Sequence, residues 1–75
     1  MIKIYYGTRV EDKELFAITN YPNQVMNAIN NYMKKKKIKG SYWIYRDSNP
    51  IEIDYGSHTH FFFIEGITMS QLFSE

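Results

Sequence analysis

Apolar and polar side chains alternate over several short stretches of this chain, and each such stretch predicts a β-strand. Ile2, Ile4 and Tyr6 alternate with their neighbours up to Gly7, a period of two residues that is typical of a strand. A polar loop follows over residues 8–13. The apolar run at 14–19 predicts the returning strand of a hairpin, although its length also allows one turn of helix.

The segment from Asn20 to Lys37 predicts an amphipathic helix. Pro22 is tolerated in a first helical turn because its missing N–H has no partner there, and Asn20 can act as the cap. Apolar residues then recur at spacings of three and four, and Gly40 ends the segment. The apolar positions are Val25, Met26, Ile29, Tyr32 and Met33. We expect this helix to cover the aliphatic face of a sheet.

From residue 41 the pattern predicts three more strands, at 41–46, 51–55 and 60–65, separated by two four-residue turns. Antiparallel hairpins with turns of that length place Ile44 opposite Ile53 and Ile53 opposite Phe62. One sheet face is then predicted to carry Tyr42, Ile44, Ile51, Ile53, Tyr55, Phe62 and Ile64. The second face is predicted to carry Trp43, Tyr45, Glu52, Asp54, Phe61 and Phe63.

The C-terminal segment contains the capping box Thr68-x-x-Gln71, which predicts a short closing helix. The element order is therefore β-β-α-β-β-β-α. It predicts an α+β fold in one domain, 1–75, with a single antiparallel β-sheet packed by one main helix and a short C-terminal helix.

The chain has 75 residues, a net charge of +1 and no cysteine, so disulfides, thiolate nucleophiles and Cys-ligated metals are excluded. Aromatic residues make up 17% of the chain, and their large buried area compensates for the small size of the core. The sequence contains neither a signal-peptide pattern nor an apolar run of about 18 residues, so we expect a soluble, cytoplasmic protein.

Residues 54–60 contain Ser, His and Asp side chains close together, but this proximity does not make a catalytic triad. A metal site formed by Asp54, His58 and His60 is disfavoured because the predicted register puts Asp54 and His60 on opposite faces. Glu52 and Asp54 share a strand face, as glycosidase carboxylates can, but the chain is too short for the rest of such an enzyme. We therefore expect no enzyme activity, no metal and no cofactor, and ordinary hydrogen bonds for the turn histidines.

Charge is distributed unevenly along the chain. Residues 1–39 carry eight Lys and Arg against three Asp and Glu, a net charge of +5, and residues 40–75 carry a net charge of −4. The positive part includes Lys34, Lys35, Lys36, Lys37 and Lys39. With aromatic residues nearby, these lysines are candidates for contact with nucleic acid, although lysines are also common at solvated helix ends.

The second predicted sheet face combines four aromatic rings with two carboxylates. A short C-terminal helix would cover only part of it, and exposed aromatic patches often mark binding sites. The carboxylates would repel phosphate and attract Arg or Lys. A solvated acidic strand face that discourages edge pairing is the alternative explanation for Glu52 and Asp54.

In size and in Ile/Lys/Asn/Tyr-rich composition, as in Asn-Ala-Ile-Asn-Asn-Tyr-Met-Lys-Lys-Lys-Lys, the chain resembles small early proteins of phages and mobile elements. The anti-CRISPR proteins are among them. This resemblance implies an inhibitor that occupies the nucleic-acid groove of a host defence enzyme with an acidic surface. It rests on composition and assigns no functional residue.

Three hypotheses follow. The first is a non-enzymatic protein-binding inhibitor that uses the second face against a basic surface of a host protein, for instance a CRISPR-type or other nucleic-acid-processing protein. The alternative is a nucleic-acid-binding regulator that uses the five lysines. The third is a homodimer in which two aromatic faces pair, with a structural or assembly role.

Overall fold

The computed structural model describes residues 1–73, which form a five-stranded antiparallel sheet and two helices. Two 3₁₀ turns, Val10–Asp12 and Pro22–Gln24, precede β2 and α1. The elements are β1 (Ile2–Gly7), β2 (Glu14–Thr19), α1 (Val25–Lys36), β3 (Ile44–Arg46), β4 (Ile51–Asp54), β5 (Phe61–Glu65) and α2 (Met69–Leu72). The predicted α+β architecture and element order are confirmed.

The strands lie in the order β2-β1-β5-β4-β3, and every neighbouring pair is antiparallel. The β1–β5 pair therefore joins the N-terminal hairpin to the three C-terminal strands. A bulge interrupts the β1–β2 pairing, because Ile4 faces Ala17 whereas Tyr5 faces Leu15. The extra residue, Phe16, packs on the helix side of the sheet with Ala17.

The core lies between one face of the sheet and α1. Val25, Ile29 and Met33 of α1 are buried against strand residues that include Ile53 and Phe62, both fully buried. These three helical positions are four residues apart, as expected for one stripe of an α-helix. The periodicity therefore identified the buried side of α1 correctly.

The ends of α1 differ from the prediction. Pro22 begins a 3₁₀ turn, and Asn20 lies before the N-cap of that turn, Tyr21. The helix ends at Lys36 because Lys37 adopts a left-handed conformation, φ 58°, in which Ile38 N donates to Met33 O at 2.8 Å. Termination therefore occurs before Gly40.

The C-terminal helix has the predicted capping box. Gln71 N donates to Thr68 Oγ1 at 3.2 Å, and Thr68 N donates to Gln71 Oε1 at 2.9 Å. Leu72 is buried with the core residues beneath α1, so α2 lies on the same side of the sheet as α1.

The β4–β5 register is as predicted, with Ile53 opposite Phe62, but the β3–β4 register is shifted by one residue. Ile44 lies opposite Asp54, and Arg46 lies opposite Glu52. The turn is thus one residue longer than predicted, and the opposite charges of Arg46 and Glu52 become cross-strand neighbours, a favourable pairing. Strand β3 is also shorter than predicted and begins at Ile44.

The shift reverses the faces of β3, because a displacement of one residue exchanges the two sides of a strand. Ile44 was predicted in the core, but its side chain is 44% exposed. Tyr45 was predicted on the opposite face, but it packs against the core and meets Phe73 edge-on at 4.9 Å between ring centroids. The predicted sides of Ile44 and Tyr45 are therefore wrong.

A matched pair of isoleucine substitutions tests this arrangement. Ile53→Ala should lower the free energy of unfolding by about 2–5 kcal/mol because it opens a cavity in the core. Ile44→Ala should lower it by about 1 kcal/mol or less, since much of its side chain is already in water. Urea unfolding followed by circular dichroism measures both, and equal losses would contradict the observed register.

Candidate functional site

One face of the sheet carries neither helix within residues 1–73, and we call it the open face. The strand pairings set its composition, since cross-strand partners share a face. Its residues are Lys3, Tyr5, Leu15, Ile18, Ile44, Arg46, Glu52, Asp54, Phe61, Phe63 and Glu65.

The open face brings together four of the six residues predicted for a partner site, namely Glu52, Asp54, Phe61 and Phe63. It does not include Tyr45, for the reason given above. It does not include Trp43 either, which lies outside the strands beside Gly40. The prediction that all six side chains share one face is wrong.

Long charged side chains cover the aromatic rings of the open face. The Arg46 guanidinium lies 5.9 Å from the centre of the Phe61 ring, and Lys13 Nζ lies 4.6 Å from the centre of the Tyr5 ring. Phe63 is only 1% exposed, although neither helix of residues 1–73 lies over it. These rings are therefore less accessible than the sequence suggested.

The carboxylates of the open face are already paired. Arg46 lies 2.5 Å from Glu52 Oε2 and 3.7 Å from Asp54 Oδ2, and Asp54 Oδ1 also accepts a hydrogen bond from Gly56 N at 2.9 Å. Glu65 lies 3.4 Å from Lys13 Nζ. Each carboxylate of this face thus has a cationic partner, so the face is not the acidic surface that the sequence predicted.

Exposed aliphatic side chains lie at the two edges of the open face. Leu15 and Ile18 of β2 are 47% and 53% exposed, and Ile44 lies on β3 at the opposite edge. Sequence reasoning did not select Leu15 or Ile18. The apolar character of the 14–19 run was the available signal, but the bulge in β2 determines which of its side chains turn outward.

The turn after β4 holds its polar side chains in local hydrogen bonds. Ser57 Oγ accepts from Thr59 N at 3.3 Å and from His60 N at 3.1 Å, and the His60 ring stacks on Tyr6 at 5.5 Å between centroids. His58 faces Tyr42. No group of three or more His, Asp or Glu side chains that could hold a metal ion occurs within residues 1–73.

The C-terminal end of α1 carries the largest concentration of positive charge. Lys34, Lys35 and Lys36 occupy the last turn, Lys37 is the left-handed residue after it, and Lys39 follows; all five are exposed. Within the part of the chain that the structure describes, no carboxylate oxygen lies within 4.0 Å of their amino groups. Lys13 and Arg46, in contrast, each lie within 4.0 Å of a carboxylate oxygen.

The segment after α1 folds back beside these lysines. Ser41 N donates to Tyr55 O at 2.9 Å, which ties the segment to the end of β4. A Cβ built on Gly40 would lie 3.3 Å from Met33 Cε and 3.7 Å from Trp43 Cζ2, so the Met33 side chain and the indole ring both lie next to Gly40. Gly40 directly follows Lys39, and we therefore group Trp43 with these lysines.

Tyr42 directly precedes Trp43 in this segment. Its hydroxyl lies 3.3 Å from His58 Nδ1, and its side chain is exposed although the sequence predicted it in the core. We define the lysine end as Lys34–Lys37, Lys39, Tyr42, Trp43 and His58.

Comparisons with protein-family models, with curated proteins and with solved structures find no match. The fold and the surfaces together define a small α+β domain with one covered and one open sheet face. None of the helices within residues 1–73 is long and apolar enough to cross a membrane.

The Tyr5–Glu65 hydrogen bond can be tested by titration. Tyr5 donates its hydroxyl to Glu65 Oε1 at 2.7 Å, and this bond, helped by Lys13, lowers the pKa of the Glu65 carboxyl. The interaction favours the folded state above the ordinary glutamate pKa and is lost as pH falls through the lowered pKa. Tyr5→Phe should therefore raise the pKa of Glu65 in an NMR titration, and an unchanged pKa would contradict the assigned cause.

Proposed function

We propose that this protein is a non-enzymatic, nucleic-acid-binding regulator whose contact surface is the lysine end. The observation that carries the proposal is the group of five exposed lysines without a carboxylate partner within residues 1–73. Free ammonium groups at close spacing attract phosphates, and the release of condensed counterions drives such binding. A cytoplasmic location fits this function.

The position of the exposed aromatic rings also supports this assignment. The sequence predicted Glu52 and Asp54 on the same sheet face as Trp43, and carboxylates in that position would oppose phosphate binding. Trp43 instead lies beside Gly40, which follows Lys39, whereas Glu52 and Asp54 lie on the open face in contact with Arg46. The electrostatic objection to nucleic acid therefore does not apply at the lysine end.

Two double substitutions that remove equal charge test the proposal. Lys37→Gln with Lys39→Gln should weaken binding of a labelled oligonucleotide and should lower the slope of log K against log salt by about 0.7 for each phosphate that the variant no longer neutralises. Lys3→Gln with Arg9→Gln removes the same charge elsewhere and should have a smaller effect. Fluorescence anisotropy over a salt series measures both.

The outcomes of that comparison are distinct. Equal weakening by the two double variants would mean that overall charge, and not the lysine end, governs binding. No binding by the unmodified protein at low salt would exclude the proposed function.

A second candidate function is the protein-binding inhibitor, which the open face favours through its exposed Leu15, Ile18 and Ile44. The resemblance to anti-CRISPR and other phage proteins would then point to a host nucleic-acid-processing protein as the partner. Since Arg46 and Lys13 pair with the carboxylates of this face, its partner would present an apolar surface with charges of both signs, rather than a basic one.

The second candidate predicts loss of a specific partner when the open face is changed. Ile18→Asp should abolish retention of a bacterial protein that both the unmodified protein and the exposed-site control Gln24→Glu retain. The purified partner should then bind Ile18→Asp at least 10-fold more weakly, as expected when an apolar contact carries binding.

Sedimentation equilibrium tests the remaining alternative, a homodimer formed through the open face. A dimer that Ile18→Asp converts to monomer would favour the homodimeric role for this face. A monomer that retains no partner would exclude both uses of the open face.

A further inference from the structure

We infer that the lysine end binds single-stranded nucleic acid, with bases stacked on Trp43 and Tyr42. This inference rests on the proposed function and specifies its ligand. Single-strand binding commonly combines a positively charged path for the phosphates with aromatic rings on which successive bases stack. The lysine end provides both elements.

The two rings are available to a ligand. Trp43 and Tyr42 are each 37% exposed, and neither belongs to a strand or to the core cluster of residues 1–73. In contrast, the aromatic residues of the helix-covered face pack against one another, as Phe16 does on Tyr32 with 4.0 Å between ring centroids. Tyr42 and Trp43 are thus exposed rings that follow Lys39 within four residues, and that lysine has no carboxylate partner within residues 1–73.

The backbone holds the rings in place beside the lysines. The left-handed residue Lys37 turns the chain out of α1, and the hydrogen bond from Ser41 N to Tyr55 O fixes the segment that follows. Gly40 lies between them, next to the Met33 side chain and the Trp43 ring. The chain between the lysines and the rings is thus anchored at both ends.

His58 positions Tyr42. Its Nδ1 atom lies 3.3 Å from the Tyr42 hydroxyl, and the two rings are tilted by 54° with centroids 6.0 Å apart. His58 itself has a left-handed conformation, φ 68°, at the tip of the turn after β4. The contact holds the phenol ring while leaving much of its surface in solvent.

This arrangement favours single strands over duplexes. In a duplex the base faces are stacked on one another, so a surface ring cannot reach them without disrupting the helix. Lysines alone would bind either form through phosphate. The rings are therefore the feature that discriminates between the two.

Trp43 is the single tryptophan of the chain and reports directly on stacking. A single-stranded oligothymidine of about 12 nucleotides, within the usual site size, should quench its fluorescence at low salt. A duplex of equal length and inorganic polyphosphate serve as comparison probes. The single strand should bind more tightly than the duplex. Polyphosphate contains no bases, so it should bind to the lysines without quenching the fluorescence of Trp43.

Substitutions at the rings separate stacking from electrostatic binding. Trp43→Leu should weaken single-strand binding by roughly 5- to 150-fold, the effect of losing one stacked base, whereas Trp43→Phe retains a ring and should weaken it much less. Tyr42→Leu and Tyr42→Phe form a second pair, in which Tyr42→Phe removes only the hydroxyl that contacts His58. Anisotropy of a labelled oligonucleotide measures binding, and thermal unfolding checks each fold.

The outcomes distinguish this inference from the proposed function. Equal affinity for single strand, duplex and polyphosphate, unchanged by Trp43→Leu and Tyr42→Leu but reduced by Lys37→Gln with Lys39→Gln, would overturn stacking and leave lysine-based binding intact. Absence of binding to all three probes would overturn both. If Trp43→Leu unfolds, the Tyr42 pair decides the question.

Discussion

The packing of aromatic rings around Phe62 is the interaction on which the rest of the structure depends. Phe62 is fully buried, and its ring centroid lies within 6.1 Å of those of Tyr6, Phe16, Tyr32 and Tyr55. These four rings come from β1, β2, α1 and the residue that follows β4, so their contacts join all four segments to β5. Because Phe62 points toward α1, the alternation of a strand sends Phe61 and Phe63 to the open face.

Sequence periodicity identified most of this fold because the relevant segments have a clear period. Ile2 and Ile4 alternate with polar neighbours, and Val25, Ile29 and Met33 repeat every four residues. The failure in β3 has a physical cause. Residues 42–45, Tyr-Trp-Ile-Tyr, are all apolar or aromatic, so their pattern does not distinguish the two faces, and one extra turn residue changed the assignment.

The surfaces were harder to predict because contacts between distant residues determine them. The grouping of Glu52 with Phe63 followed from the β4–β5 register, which turn length defined correctly. The covering of the open face by Lys13 and Arg46 depends on side-chain positions that periodicity does not specify. The location of Trp43 depends on where α1 ends, and a left-handed Lys37 is not a usual helix-ending residue.

The open face and the lysine end differ in whether their charged groups have partners of opposite charge within residues 1–73. On the open face the carboxylates of Glu52, Asp54 and Glu65 each have a cationic partner, whereas the lysine end places five lysines within six consecutive residues. The positive charges of the lysine end repel one another by simple Coulomb interaction, which offsets part of the favourable interaction of Lys34–Lys36 with the helix dipole. A bound polyanion would relieve that repulsion and would add stability to the folded state by mass action. Under the proposed function, a bound polyanion would therefore neutralise the lysine charges that no carboxylate within residues 1–73 pairs with, whereas ion pairs within the protein already neutralise the carboxylates of the open face.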